Sequence, residues 1–411
     1  MAEEPGRRRT LTSILRVGGF VVAAAGAVVL TVLLSWSNAN GTADAPASHT
    51  VHGTRQFGTP SSPEVHRTHH AATHHAPTHH APTHVAAPRP WLAPAKGRGH
   101  LRPGSRPSAL PGMLLIADKL NNRLIIVDPR GRIRWQFPRP GDLAHGQSFR
   151  VPDDAFFTPD GRYIIATQED NAVISIINVA RHRIVYRYGV PGHPGSGRNH
   201  LSNPDDAMVL PNGDIFTADI MNCRLLLIAP HTHRPLRVIG RTTTACRHAP
   251  PRHWGSPNGA FPMAHHRFLV TEINGDWVDA IGLHGKVYWS THPPRVVYPS
   301  DSNQIGRNRF LTVDYSARGQ VVIFTRRGRP LWRWYGPPHH PLNHPSLALP
   351  LPNGYIALND DYNHRVLIVN PRTKRVVWQY GVSGVPGRRP GYLDNPDGID
   401  LVPPNSLVAT R

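Results

Sequence analysis

The chain has 411 residues, with 46 Lys and Arg against 26 Asp and Glu, for a formal charge of +20. That length fits two ordinary domains or one large repeat domain, and a hydrophobic content of 39% supplies a packed core, so a wholly disordered chain is excluded. No Ser-His-Asp or HExxH spacing is present, so those two hydrolytic chemistries have no motif here.

Residues 1–16 form a basic segment, with Arg7, Arg8, Arg9 and Arg16, and are expected in the cytoplasm. Residues 17–36 carry no charge and match the thickness of a bilayer core as one helix. The positive-inside rule then predicts a single-pass signal anchor in the plasma membrane, with all that follows extracytoplasmic. The alternative is secretion after cleavage near Ser37-Asn38-Ala39, although the apolar run exceeds a typical signal-peptide core.

Residues 37–111 lack hydrophobic periodicity and are rich in His, Pro, Ala and Thr. From Thr68 a THHAP-type unit repeats, and its prolines favour extended backbone. This predicts a disordered linker that holds the following domain off the membrane. Its His pairs allow weak metal binding, but a spacer explains them as well.

From residue 112 to 411 the pattern is regular. Pro152, Pro204, Pro257, Pro299, Pro345 and Pro396 recur at roughly 42–53 residue intervals, the period of propeller blades. An inner strand follows each anchor, as in DDAFFT, DDAMVL, NGAFPM and SLALPL. Tight turns such as Pro211-Asn212-Gly213 then lead to a second strand ending in an acid, a third strand, and a fourth that often carries Trp. The first unit lacks an inner strand and the last unit supplies one. The predicted fold is an all-β, six-bladed β-propeller of four-stranded blades closed by the C-terminal strand, preceded by one transmembrane helix and a linker.

Ala218-Asp219 with Asn222-Cys223-Arg224, and Asn359-Asp360 with Asn363-His364-Arg365, resemble NHL-type repeats. The strands bearing Trp135, Trp289 and Trp332 resemble those of PQQ-like and arylsulfotransferase-like propellers. The resemblance covers residues 112–411 and implies a propeller. It implies no single function, since NHL-type relatives include sensor domains, RNA-binding surfaces and lyases. Quinone dehydrogenases of the PQQ type have eight blades and adjacent cysteines, neither of which is found here.

In a four-stranded blade the anchors and the ends of the second strands share one face. That places Asp153, Asp154, Asp205, Asp206, Asn258, Asp301, Asn303 and Asp397 around the channel, with Asp118, Glu169, Asp219, Glu272, Asp314 and Asp360 behind them. The ligand-binding candidates are Asp154, Asp206, Asn258, Glu272, Asp301, Asn303, Asp360 and Asp397. Of these Asp206, Asn258 and Asp301 are candidate ligands for Ca, Mg or Mn. A structural reading competes, in which each acid caps its own strand. No residue is assigned as catalytic; His200, His248, His253, His265, His266, His344 and His364 have no supporting spacing.

Cys223 and Cys246 share that face and are expected to form a disulfide, which an extracytoplasmic setting permits. The basic surface suits anionic envelope polymers or a protein partner, and the topology disfavours nucleic acid. The leading expectation is a binding module, a sensor or scaffold without enzymatic activity. The alternatives are a divalent-cation-dependent hydrolase or lyase at the channel mouth, and an arylsulfotransferase-like enzyme.

Overall fold

A computed structural model describes residues 100–229 and 232–409. The predicted cytoplasmic segment, the membrane span and most of the linker lie outside these residues. Among the described residues no helix is long and apolar enough to cross a membrane.

Six four-stranded antiparallel sheets are formed among the described residues. The inner strands are Pro152–Phe157 in blade 2, Pro204–Val209 in blade 3, Pro257–Met263 in blade 4 and Pro299–Gly306 in blade 5. Each opens on its anchor proline, a position where the missing N–H removes no ladder bond. Blade 6 departs from the pattern: its inner strand is only Ala348–Pro350, beginning beyond Pro345. The inner strand of blade 1 is Pro396–Leu401, which pairs with Leu114–Asp118 through Leu114↔Leu401 and Ile116↔Ile399. The last strand therefore closes the ring, as the complementary ends of the repeat predict, and each inner strand is left as a short edge facing the channel.

The second and third strands are buried and mostly apolar because both faces are covered by neighbouring blades, with polar residues mainly at the ends of the second strands. Phe216 of blade 3 stacks on Phe268 of blade 4 with centroids 3.9 Å apart. Nearer the axis, Phe156 of blade 2 meets Phe261 of blade 4 edge to face at 5.3 Å. This apolar contact between two inner strands narrows the channel below its polar mouth.

The Trp-bearing fourth strands join adjacent blades. The indole N–H of Trp135 donates to the Val179 carbonyl of blade 2 (3.0 Å), and that of Trp332 to the Pro371 carbonyl of blade 6 (2.8 Å). Trp378 donates to the Pro129 carbonyl of blade 1 at 3.0 Å, across the seam of the ring. In these three strands the Trp motif is thus a blade-to-blade staple.

One boundary differs from the sequence reading. The segment just ahead of Gly112, read as linker, is docked on blade 6: Leu101 bridges Tyr380, and Ala109 and Leu110 are buried. Apolar residues at these three positions supply that packing. At the other end, the residues after Leu401 form turns, with Val402 and Val408 buried against blades 1 and 2.

Candidate functional site

The channel mouth is built in tiers. In blades 2 to 5 the pairing of the inner strand slips just after its proline, between Pro152 and Ala155, Pro204 and Ala207, Pro257 and Ala260, and Pro299 and Ser302. A bulge of this kind lets consecutive side chains leave the alternating pattern of a regular strand. Threonines at the ends of the second strands occupy the broken ladder. Thr167 Oγ1 accepts from Asp154 N (3.1 Å), while Thr217 and Thr312 donate to the carbonyls of Asp206 (2.7 Å) and Asp301 (2.8 Å). The first position after each anchor proline gives Asp153, Asp205, Asn258, Ser300, Ser346 and Asp397. The second gives Asp154, Asp206, Gly259, Asp301, Leu347 and Gly398. The two glycines make room for acids, since a Cβ on Gly259 would stand 2.5 Å from Asp301 Oδ1 and one on Gly398 would stand 2.7 Å from Asp154 Oδ1.

These carboxyls are buried and close together. Asp153, Asp154 and Asp205 present oxygens within 4.8 Å of one another, and so do Asp154, Asp206 and Asp301. Oδ1 of Asp154, Asp206 and Asp301 has no hydrogen-bond partner. Asp206 Oδ2 accepts Ala260 N at 2.6 Å. Burial, then the neighbouring carboxylates, push Asp153, Asp154, Asp205 and Asp301 well above the ordinary range. Burial also pushes Asp206 up, to about 7, against the hydrogen bond that Ala260 N donates.

One cation is set among them. Lys119 Nζ donates to Asp153, to Asp397 Oδ2 (2.8 Å) and to Glu169 Oε2 (3.0 Å). Burial pulls the ammonium down, but the three acids outweigh it and hold Lys119 well above its ordinary value. Burial likewise pushes Asp397 up, yet Lys119 and hydrogen bonds leave it below the usual carboxylate value. Lys119 belongs to a rim that sequence reading missed: the residue after each second-strand terminus, namely Lys119, Glu169, Ile220, Ile273, Tyr315 and Asp361. Aligning the repeats one position beyond the terminal acid reveals it. Asp361 accepts from Asn359 Nδ2 (2.9 Å) and the Ser346 hydroxyl (3.2 Å). Tyr315 packs edge to face on Tyr298 at 5.1 Å.

The acids behind the channel hold the blades. Asp118, Asp219 and Asp360 accept from Arg123, Arg224 and Arg365 Nε at 2.6, 2.7 and 2.7 Å. Each also takes a backbone N–H from the incoming loop: Asp394, Ser202 and Asn343. Of the predicted site residues, Asp360 thus has both oxygens engaged in its blade. In blade 2 the equivalent place is filled by Gln168, which accepts Arg150 N (2.8 Å), while Glu169 lies one residue further and reaches Lys119. Asn258 donates to Ser300 (3.3 Å to Oγ), and Asn303, lower on its strand, donates to the Ala348 carbonyl (3.1 Å). Asp154, Asp206 and Asp301 are brought together, with Asn258 and Asp397 in the tier above.

Cys223 and Cys246 form the disulfide, with Cα atoms 5.1 Å apart. It anchors the loop that leads into blade 4. Two residues past Cys246, His248 Nδ1 lies 2.9 Å from Glu272 Oε1 and 3.9 Å from Asp279 Oδ2. The other Glu272 oxygen accepts Gly255 N. Burial, then the nearby Glu272, push the Asp279 carboxyl up to about 8. The other candidate histidines have different surroundings: His344 packs on Tyr362 at 4.2 Å, and His364 pairs with Asp394 at 3.3 Å.

The strand pairing and this axial site define a six-bladed β-propeller with an acid-lined channel mouth. No family model matches the sequence, and no curated protein matches it. Among solved structures, the chain is similar to a protein of unknown function from Bacteroides caccae, at 15% identity and a TM-score of 0.47 over 66% of this chain and 97% of that one. It is similar to the WD40 β-propeller domain of Doa1, at 11% identity and a TM-score of 0.44 over 67% of this chain and 85% of that one. It is also similar to a catalytically inactive virginiamycin B lyase from Staphylococcus aureus with quinupristin, at 15% identity and a TM-score of 0.40 over 55% and 69%.

Proposed function

We propose that the protein is an NHL-type, membrane-anchored extracytoplasmic propeller that binds a ligand or partner at its channel mouth, and that the mouth is organised by a divalent cation. One observation carries this reading. Asp154, Asp206 and Asp301 converge with three buried oxygens that accept no hydrogen bond. Buried carboxyls so placed must take up protons or a cation. Oxygen ligands of this kind suit Ca2+, Mg2+ or Mn2+. Lys119 stands to one side, on Asp153, Asp397 and Glu169, so it neutralises the adjacent tier. The anchor rests on the uncharged run at 17–36 and the arginines before it, and the +20 charge suits anionic envelope polymers as the partner.

A cation-dependent hydrolase or lyase is the second reading. It is favoured by the same convergence of Asp154, Asp206 and Asp301, where a bound cation would activate a water.

The test is calorimetric titration of the full-length protein, stripped with chelator, with Ca2+, Mg2+ and Mn2+. One equivalent of Ca2+ or Mg2+ bound, lost in Asp206→Asn and Asp301→Asn, is the expected result. Absence of binding by all three ions in a folded protein overturns the cation reading. Protease treatment of intact cells tests the topology, and a protected propeller overturns it.

A further inference from the structure

We infer that His248, Glu272 and Asp279 form a second metal site, outside the channel, that takes a divalent transition metal with zinc as its natural probe. These three side chains come from the disulfide-anchored loop and from two adjacent strands of blade 4, and their donor atoms lie within 4.8 Å of one another. Neither oxygen of Asp279 has a hydrogen-bond partner among the described residues, although the residue is 0% exposed. Glu272 is equally buried, and the ion pairs of both acids among the described residues are with His248 alone. The unpartnered Asp279 oxygens share one pocket with the His248 ring nitrogen, where a dication would take them as ligands.

The spacing suits such an ion. A tetrahedral zinc with bonds of about 2.0–2.1 Å sets its donors about 3.3 Å apart. The separations of His248 Nδ1 from Glu272 and Asp279, 2.9 and 3.9 Å, bracket that value. The mix of one imidazole nitrogen and two carboxylate oxygens fits zinc and its neighbours better than calcium. His248 is partly exposed, so a metal can enter from solvent and keep an open fourth position.

The ligands are also held in place. The His248 ring stacks on Trp277 with centroids 4.1 Å apart and planes 12° apart. Glu272 is fixed through its second oxygen by Gly255 N, the kind of outer support that orients metal ligands. The Cys223–Cys246 bond and a hydrogen bond from Asn274 Nδ2 to the Cys246 carbonyl (3.4 Å) fix the base of the loop.

The experiment is Zn2+ titration of the full-length protein, with metal content measured after desalting and tryptophan fluorescence recorded. The wild type is expected to retain one equivalent of zinc and to show a fluorescence change that Trp277→Phe removes. His248→Ala, a partly exposed change, and Asp279→Asn should each weaken zinc binding about a hundredfold or more, whereas Asp206→Asn should leave it unchanged. The proposal is overturned if wild type and folded His248→Ala retain the same amount of zinc, or if the zinc is lost in Asp206→Asn alone. The latter result assigns the ion to the channel, so the two sites fail separately.

Discussion

Lys119 Nζ lies 2.8 Å from Asp397 Oδ2, joining residues 278 positions apart in the chain. Asp397 stands on the strand that closes the ring, and Lys119 also reaches Asp153 and Glu169 of the next blade. One ammonium thus ties the closing strand, the first blade and the second. Removing one partner of a buried ionic cluster leaves charge uncompensated, at a cost of about 3–5 kcal/mol. Lys119→Met is expected to lower stability by that order in urea unfolding. It should also tighten Ca2+ or Mn2+ binding at the channel, because a competing positive charge is gone. A variant as stable as wild type would show that the lysine does not hold the seam.

The channel acids predict an unusual pH dependence. Burial pushes Asp206 to about 7, and Asp154 and Asp301 well above the ordinary range, over an unfolded carboxylate value of about 3.9. The folded state therefore binds more protons than the unfolded one between those values. Stability from these groups is complete below the unfolded pKa and is lost as pH rises through about 7. Asp397 has the opposite sign, but its loss falls below the usual carboxylate range. Burial holds His182, His233, His248 and His344 below the usual imidazole value, so they oppose the trend within the same window. The acids are therefore read against Asp206→Asn. In chelator, the Tm of the wild type relative to Asp206→Asn should fall between pH 5 and 7.5. With excess divalent cation that fall should shrink or reverse, because cation and protons compete for the same oxygens. A Tm difference that rises over this range in chelator contradicts the assignment.

Gly259 predicts how tightly the deep tier is packed. A Cβ there would stand 2.5 Å from Asp301 Oδ1, 2.8 Å from Thr271 Oγ1 and 2.9 Å from the Ser300 carbonyl. The last two groups are tied to each other, because the Thr271 hydroxyl donates to the Ser300 carbonyl. Gly259→Ala should therefore displace Asp301 and cost about 1–3 kcal/mol, the range for overpacking. Its cation affinity should fall by tenfold or more. Unchanged stability and affinity would mean that the tier has slack.

The repeat made the ring and its closure legible, because a proline, a turn, a terminal acid and a Trp strand recur at a blade's period. The pairing of Cys223 with Cys246 was legible because no other thiol competes. The roles of the acids were not. Asp360 and Asp301 look alike in sequence, yet Arg365, Asn363 and Asn343 take up both oxygens of the first, while Oδ1 of the second has no partner. That difference arises from bulges and threonines at the strand ends, which a residue-type pattern does not encode. Lys119 was hidden for a related reason: the same rim position holds Glu169, Ile220 and Tyr315 in other blades, so no residue type marks it.

Trp378 offers a test of closure from the outer edge. Its indole N–H donates to the Pro129 carbonyl at 3.0 Å, linking blade 6 to blade 1, whose sheet pairs Leu114–Asp118 with Pro396–Leu401. The residue is fully buried, so Trp378→Phe removes the donor, leaves the carbonyl without it and opens a small void. A lost hydrogen bond with an unsatisfied partner costs about 1–3 kcal/mol, and the missing ring volume adds to it. Trp332→Phe removes the equivalent bond to Pro371, between blades 5 and 6, away from the seam. If the seam is the weakest joint, hydrogen exchange in Trp378→Phe should rise in the paired strands Leu114–Asp118 and Pro396–Leu401, while Trp332→Phe should leave them protected. Equal exchange in both variants would show that the ring opens as one cooperative unit, with the seam no weaker than any other blade contact.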